Sequence, residues 1–313
     1  MIGFLLRRVA ATVPVLVMVA VIVFLMLRLT PGDPAAIIAG DNASTEQIAE
    51  VRAGLGLDRP LLTQFAIWSA ALAQGDLGES YFFKQPVTML IAQRIEPTLS
   101  LALVTIVITV LVAVPLGTLA AYRHGGWVDR LVMGFSVAGF SIPVFVLGYL
   151  LIYVFAVELR WLPVQGFASI RDGVWPFLER VILPASTLSV IYTALVARIT
   201  RATMLEVLTE DYVRTARAKG QTEIGVVVGH ALRNAAVPIV TVVGVGIALL
   251  VGGVVVTESV FNIPGLGRLT VDAVLARDYP TIQGVILLFS FTYVLINLAI
   301  DLSYVLLDPR IRY

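Results

Sequence analysis

Long apolar segments recur along the chain, and each is long enough to cross a bilayer as a helix. A transmembrane helix requires roughly 20 consecutive, mainly apolar residues. The segments do not alternate between polar and apolar positions as half-buried strands do. The pattern therefore predicts an all-α, polytopic membrane protein in which a single transmembrane domain occupies residues 1–313. The six predicted transmembrane helices are residues 9–29, 98–121, 131–157, 181–204, 237–257 and 282–307.

The first apolar segment follows Arg7 and Arg8, as the apolar region of a secretory signal peptide follows basic residues. It is longer than the apolar region of a signal peptide, and no A-x-A-like cleavage site closes it. We therefore expect a retained membrane helix.

The distribution of basic residues predicts the orientation of the chain. With the N-terminus inside, the cytoplasmic segments carry twelve Lys and Arg residues, and the short outer loops carry five. The loop 30–97 is excluded from this count, because loops longer than about 60 residues cross the membrane regardless of charge. Both termini are therefore predicted to be cytoplasmic.

The segment 30–97, between the first and second spans, is predicted to be an extracytoplasmic insertion made of helices. Ser44 or Thr45 can cap the first helix, and Pro60 suits the first turn of the second. A third helix is expected to stop before Pro97. Packing of these helices against the transmembrane bundle and contact with a substrate both remain open.

The loop 205–236 is predicted to be cytoplasmic and to contain two short helices. Thr209 or Asp211 can cap the first helix, and Gly220 suits the left-handed position that ends it. Thr222 can cap the second helix, and Pro238 is expected to open the fifth span. Residues at helical spacing predict one buried stripe on the second helix, and these are Ile224, Val227, Val228, Ala231, Leu232 and Ala235.

Two short helices that meet at a glycine should form a stiff projection into the cytoplasm. Tyr212, Val213 and Ala216 give the first helix a small apolar face, and the last turns are basic. Such a projection suits a groove in a partner protein. A basic loop bound to anionic lipid remains an alternative.

Composition excludes several functional classes. The chain is 58% hydrophobic and 14% charged, against about 25% charged residues in a soluble domain, and its mean hydropathy is +0.93. A net charge of +1 argues against nucleic-acid binding. The chain has no cysteine and only two histidines, His124 and His230, so we expect no metal site. No P-loop pattern occurs, which predicts that ATP is bound elsewhere.

Few charged residues lie within the predicted spans. Arg198 and Arg201 lie near the inner end of the fourth span, where their side chains can extend toward the interface, and Glu258 lies at the outer end of the fifth. No acidic residue lies at a midplane, where ion-coupled carriers usually keep one. No catalytic constellation is found within a span, so the chain is not expected to be an enzyme.

Prolines and polar residues within the spans suggest how a pathway could form. Each proline removes one backbone hydrogen bond and can kink its helix, and the prolines concerned are Pro14, Pro115, Pro143 and Pro184. Polar side chains in spans can line a pathway or bond to carbonyls of their own helix. The pathway-lining candidates are Ser141, Ser189, Tyr192 and Thr193.

The cytoplasmic loop resembles that of the permease subunits of bacterial ABC importers. Their shared element is a Glu-Ala-Ala sequence with a glycine four residues after its last alanine, and here Arg214-Thr215-Ala216 and Gly220 hold these positions. Arginine and threonine replace glutamate and alanine, as is typical of the dipeptide/oligopeptide branch.

Other stretches are similar to the same branch and cover the chain from end to end. The chain resembles the first of the two permeases in dipeptide transporters, and nickel and glutathione importers share much of the pattern. The matching stretches are Thr30-Pro31-Gly32-Asp33-Pro34, 55–61, 75–80, 258–267 and Asp308-Pro309-Arg310.

The resemblance implies a type I ABC importer permease fold in the bacterial cytoplasmic (inner) membrane. It implies a second homologous permease, P-loop ATPase subunits that hold ATP and Mg, and an extracytoplasmic substrate-binding protein that delivers di- or oligopeptides. No cofactor is expected on this chain. The alternative function is a stand-alone secondary carrier or channel. The resemblance assigns coupling to the ATPase to Asp211, Tyr212, Val213, Arg214, Thr215, Ala216, Arg217, Ala218, Lys219 and Gly220.

Overall fold

The computed structural model describes residues 2–29, 33–39, 43–54 and 56–307, and helices dominate these residues. The predicted all-α class is confirmed. The α-helices are α1 Ile2–Leu29, α2 Pro34–Ala39, α3 Thr45–Gly54, α4 Leu61–Ala73, α5 Val87–Tyr122, α6 Trp127–Ser141, α7 Val144–Leu151, α8 Val174–Leu208, α9 Asp211–Ala218, α10 Arg233–Val260, α11 Leu266–Leu275 and α12 Tyr279–Leu307. Two π-helical segments, Ile152–Glu158 and Gly225–Leu232, and a 3₁₀ turn, Ile170–Asp172, complete the helical structure of the described residues.

Four helical segments of the described chain are long and apolar enough to cross a membrane: Val87–Tyr122, Val174–Leu208, Gly225–Leu250 and Tyr279–Ser303. The bent pair Trp127–Ser141 and Val144–Glu158 would add a fifth span. The first predicted span corresponds to α1, whose described apolar stretch Ala10–Met26 is shorter. The count of six spans and the cytoplasmic termini stay predictions.

The prediction that a helix stops before Pro97 is wrong. Helix α5 continues through Pro97 into the second predicted span. A proline removes only one hydrogen bond, and here the residues on both sides of it are held. The Ser169 hydroxyl donates to the Glu96 carboxylate at 2.5 Å, and the Thr98 hydroxyl donates to Glu258 at 2.6 Å.

The third predicted span is a broken helix. Helix α6 ends at Ser141 and α7 begins at Val144, with a bend of 105° between the two helical segments. Ile142 is extended at φ −93° and ψ 122°, because a residue before proline is disfavoured in the helical region. Pro115 and Pro184, by contrast, lie inside the unbroken helices α5 and α8.

The described chain divides into two compact units. The larger comprises residues 96–268 and 295–307, and the smaller comprises residues 2–95 and 269–294. The assignment of the whole chain to one permease domain and the membrane side of the segment 30–97 stay predictions.

Helix α8 forms the centre of the larger unit. Small residues let neighbouring helices approach it closely: a Cβ built on Gly139 would lie 3.1 Å from the Ala194 Cβ, and one on Gly253 would lie 3.0 Å from Leu188. Arg201 of α8 forms an ion pair with Asp129 in the first turn of α6. Arg201 is thus held by a carboxylate of α6, and its extension toward the membrane interface stays a prediction.

The smaller unit joins the first helix to the insertion. Phe24 of α1 packs edge-on against Phe65 of α4, with the ring centroids 5.1 Å apart. The Gln283 side chain donates to the Val23 carbonyl at 2.9 Å. The predicted Ser44 cap of α3 is confirmed, since its hydroxyl accepts from the Gln47 amide.

Asp278 is the buried polar centre of the smaller unit. It is fully buried and accepts hydrogen bonds from the Ser80 hydroxyl at 2.5 Å, the Tyr81 amide at 3.0 Å and the Thr281 hydroxyl at 2.7 Å. Such a carboxylate joins segments that are distant in sequence.

Candidate functional site

Helix α9 projects its polar face and is anchored by two small apolar residues. Val213 is fully buried and Ala216 is 8% exposed, and both pack with Val226 and Leu208. Tyr212, the third member of the predicted apolar face, remains 40% exposed. The helix therefore has a shallow attachment and a wide accessible face.

The start of α9 differs from the prediction. Its N-cap is Glu210, which is extended at φ −66° and ψ 147° and makes no side-chain cap hydrogen bond. Thr209 instead ends α8, where its hydroxyl donates to the Glu206 carbonyl at 2.7 Å. The prediction of Thr209 or Asp211 as the cap is therefore wrong, because α8 continues far enough to use the threonine at its own end.

The end of α9 confirms the predicted glycine. Gly220 has φ +79°, a left-handed conformation that is unfavourable for residues with a Cβ. Its amide donates to the Arg217 carbonyl at 2.9 Å. Thr222 then caps the next helix, as predicted, and its hydroxyl accepts from the Gly225 amide at 3.3 Å.

The helix after Thr222 is π-helical over Gly225–Leu232, and the prediction of its buried stripe is partly wrong. Ile224 and Val228 are 78% and 54% exposed. The i→i+5 hydrogen bonds of a π-helix widen each turn, so the buried positions shift from those of an α-helix. The buried residues are Val226, Val227, Ala231 and Ala235.

Proline 238 does not open the fifth span. Helix α10 begins at Arg233, directly after the π-helix, and Pro238 lies inside it. The projection is thus continuous in structure with a candidate membrane helix, which gives α9 a rigid support.

The exposed face of α9 is predominantly basic. Arg214 lies 3.4 Å from Asp211, and the Arg217 guanidinium donates to Glu223 at 3.1 and 3.4 Å. Both pairs are exposed, so each contributes little to stability. Lys219 is also exposed. These charges are available to an acidic partner surface.

Tyr212 is a neutral aromatic group beside these charges. Burial of its ring raises the pKa of the phenol above its ordinary value, and the Glu210 carboxylate adds to this effect. A hydrogen bond with the Asn234 side chain acts in the opposite direction on the pKa and ties Tyr212 to α10.

The opposite end of α10 carries a buried carboxylate whose role the sequence did not reveal. Glu258 is fully buried; it accepts from the Thr98 hydroxyl at 2.6 Å and from the Arg268 amide at 3.0 Å. Thr98 in turn accepts from the Leu266 amide at 2.8 Å. A Cβ on Gly265 would lie 2.1 Å from the Glu258 carboxylate. The glycine-rich stretch after α10 therefore folds around Glu258.

The four pathway-lining candidates lie in different environments. Ser189, Tyr192 and Thr193 are 5%, 8% and 3% exposed within the chain's own bundle. Ser141 is exposed at the end of α6, where its hydroxyl donates to the Val137 carbonyl at 2.9 Å. Their role in a pathway stays a prediction.

No group of three or more His, Cys, Asp or Glu side chains in the described part of the chain could hold a metal ion.

Two family models together match nearly the whole chain. Residues 113–313 match the family described as "Binding-protein-dependent transport system inner membrane component". Residues 1–102 match the family of its N-terminal part, described as "Binding-prot-dependent transport system membrane comp, N-term".

Similar curated proteins come from several bacteria. A probable peptide ABC transporter permease protein of Sinorhizobium fredii is 54% identical over 310 residues, which cover 99% of both chains. The glutathione transport system permease protein GsiC of Escherichia coli is 47% identical over 313 residues, which cover 100% of both chains.

A solved structure has the same fold. A chain of the MetNI methionine ABC transporter, in an inward-facing conformation, superimposes with a TM-score of 0.60. The match covers 70% of the present chain and 97% of that chain, at 20% identity. The type I ABC importer permease fold is thereby confirmed. The chain belongs to the family of binding-protein-dependent transport system inner membrane components.

Proposed function

We propose that this chain forms half of the translocation path of an ATP-driven importer for di- or oligopeptides. Membership of the family excludes the alternative of a stand-alone secondary carrier or channel. The peptide substrate is supported by a relative with 54% identity that is named a probable peptide ABC transporter permease.

The observation that carries the proposal is the exposed helix α9 on a continuous helical support. Only Val213 and Ala216 of α9 are buried, and Gly220 turns the chain directly into the π-helix that leads to α10. A force applied to α9 would therefore reach α10 without passing through a flexible linker. In this proposal residues 211–220 form the coupling helix, and residues 205–236 lie in the cytoplasm.

The other components follow from this role. ATPase subunits bind ATP and Mg and receive α9, a second homologous permease completes the path, and an extracytoplasmic binding protein delivers the peptide. The chain itself holds no cofactor and no catalytic site. Its basic coupling face predicts an acidic or aromatic-lined cleft on the ATPase.

The test uses the complete complex in proteoliposomes and measures ATP-dependent uptake of a labelled tripeptide. Tyr212→Ala combined with Arg217→Glu should lower uptake at least about tenfold, because both side chains face the partner. Membrane insertion should be unchanged, since neither side chain is buried. Arg171→Glu, a charge reversal at an exposed site in another loop, is the control and should retain uptake.

Two outcomes would contradict the proposed function. The first is uptake by the chain alone, without nucleotide or partner subunits. The second is a wild-type complex that hydrolyses ATP but imports no peptide. Unchanged uptake in the double variant would contradict only the coupling role of α9 and would leave the proposed function intact.

A further inference from the structure

Arg198 is an exposed arginine on a stretch of α8 that other helices of the chain largely enclose. Helix α8 is one of the helices long and apolar enough to cross a membrane. Between Val181 and Met204, only Arg198 and Ala202 are exposed. Arg198 lies six residues before residue 204, the inner end of the predicted fourth span, which corresponds to about 9 Å of helix. A charge inside a span is unfavourable against lipid and usually faces a polar cavity.

Arg201, one turn further along α8, is an arginine whose charge is balanced within the chain. Arg201 is ion-paired with Asp129, and its side chain is 19% exposed. No ion pair involves Arg198 within residues 56–307. The guanidinium of Arg198 therefore has no carboxylate partner within residues 56–307, and its hydrogen-bond donors are available to a ligand.

The surroundings of Arg198 lie at the break between α6 and α7. The Arg198 guanidinium carbon is 5.4 Å from the centroid of the Phe140 ring, which is 46% exposed. Gly139 contacts Ala194 of α8, so the helices approach closely at this level. The ring therefore lies against the guanidinium beside the last turn of α6.

A helix break within a membrane is tolerated where it faces protein or a water-filled cavity. Ser141 ends α6 at this break and is exposed. The free carbonyls at the end of α6 carry partial negative charge, which favours a cation next to them. The aromatic face of Phe140 thus contacts the guanidinium, and the next residue in the chain carries an exposed hydroxyl.

We propose that Arg198, with Phe140 and Ser141, binds the C-terminal carboxylate of a peptide as it crosses the membrane. A guanidinium offers two parallel N–H donors that match a carboxylate, and the Phe140 ring supports its plane from one side. The Ser141 oxygen can accept from the last peptide N–H. Every unmodified peptide carries this carboxylate, so the contact suits substrates of varied side chains. The inference rests on the proposed function and names the substrate group recognised in the path.

The test compares two peptides of identical sequence, one with a free C-terminal carboxylate and one with a C-terminal amide. Uptake is measured in proteoliposomes that contain the complete complex, at saturating binding protein. For each peptide, the rate of Arg198→Gln is divided by the rate of the wild type, so that the preference of the binding protein cancels. We expect this ratio to fall about tenfold further for the acid than for the amide. Arg130→Gln, at an exposed arginine of α6, is the control and should leave both ratios near one.

A second measurement uses charge rescue and tolerates a partial loss of assembly. The chain has no native cysteine, so Arg198→Cys introduces a single thiol into this subunit. An aminoethyl methanethiosulfonate restores a positive charge, and a sulfonatoethyl reagent adds a negative one. The aminoethyl reagent should recover uptake of the acid peptide at least about threefold, and the sulfonatoethyl reagent should not. The wild-type complex, treated identically, corrects for cysteines in the partners.

Equal loss of acid and amide uptake, or rescue by both reagents, would overturn the inference and would leave the proposed function intact. Labelling of the Arg198→Cys thiol by both reagents, with no change in the uptake of either peptide, would overturn it as well. A wild-type complex that imports neither peptide would instead contradict the proposed function.

Discussion

The two ends of α10 are held in opposite ways. The helix that precedes α10 is α9, which is attached through Val213 and Ala216. The charged side chains of α9 are exposed. After its last residue, the chain wraps around the fully buried Glu258. A region that binds a partner leaves its charged side chains exposed. A region that maintains its shape buries its charged group and satisfies it with hydrogen bonds from the same chain. The difference predicts that substitutions at one end alter stability and those at the other alter coupling.

The largest expected effect is on stability at the Glu258 end. Gly265→Ala should lower the free energy of unfolding by about 3 kcal/mol, because the new Cβ would displace the Glu258 carboxylate from its donors. The thermal unfolding midpoint of the detergent-purified complex measures this. Gly252→Ala is the matched control, since that glycine faces open space within α10.

A double variant sharpens this prediction. In a Glu258→Ala background the new Cβ at position 265 no longer meets a carboxylate. Gly265→Ala should therefore be less destabilising there than in the wild type. Additive losses would show that the glycine and the carboxylate act independently, which would contradict the arrangement described here.

The second effect is on coupling at the α9 end. Gly220→Pro should abolish most ATP-driven uptake, because proline cannot adopt φ +79° and lacks the amide that bonds to Arg217. Membrane insertion and the unfolding midpoint of the membrane helices should change little. Gly220→Asn is the control: asparagine tolerates the left-handed conformation and should retain most uptake. Comparable uptake in both variants would argue against a structural requirement for this turn.

The third effect separates the charge of Arg217 from its ion pair. Arg217→Glu should lower stability by less than about 1 kcal/mol, because the pair with Glu223 is exposed. Uptake should fall more strongly if the guanidinium meets the ATPase. Adding Glu223→Arg restores an oppositely charged pair, so it should recover the unfolding midpoint without recovering uptake. Recovery of both would assign Arg217 a purely internal role.

The smallest effect concerns the Tyr212 hydroxyl. Tyr212→Phe removes the hydrogen bond with Asn234 and keeps the exposed ring, so stability should fall by about 1 kcal/mol or less and uptake should remain near that of the wild type. Steady-state uptake at fixed ATP measures this. A loss as large as that of Gly220→Pro would show that the hydroxyl itself contacts the partner.

The sequence predicted the features of the coupling region that depend on local backbone chemistry. Gly220 and Thr222 adopt the expected conformations because left-handed turns and helix caps are decided by a few adjacent residues. The buried stripe after Thr222 was partly wrong, since a π-helix changes the spacing of buried positions and leaves no reliable sequence pattern.

Features that depend on distant residues could not be predicted. Pro97 lies inside α5 although Pro143 breaks its helix, and the two prolines look alike in sequence. Glu96 and Thr98, which flank Pro97, bond to residues far along the chain. Glu258 was visible only as a charge near the end of a span, because no sequence pattern reveals that the Thr98 hydroxyl and the Arg268 amide donate to it.

The π-helical turns of Gly225–Leu232 have a mechanical consequence. Such a segment holds surplus residues relative to an α-helix of the same length. Conversion to α-helical geometry would release these residues one at a time, and each released residue would rotate α9 by about 100° and shift it by about 1.5 Å along the helix axis. The junction between α9 and α10 therefore remains a continuous helix that transmits force, and its geometry allows changes of length and rotation only in discrete steps.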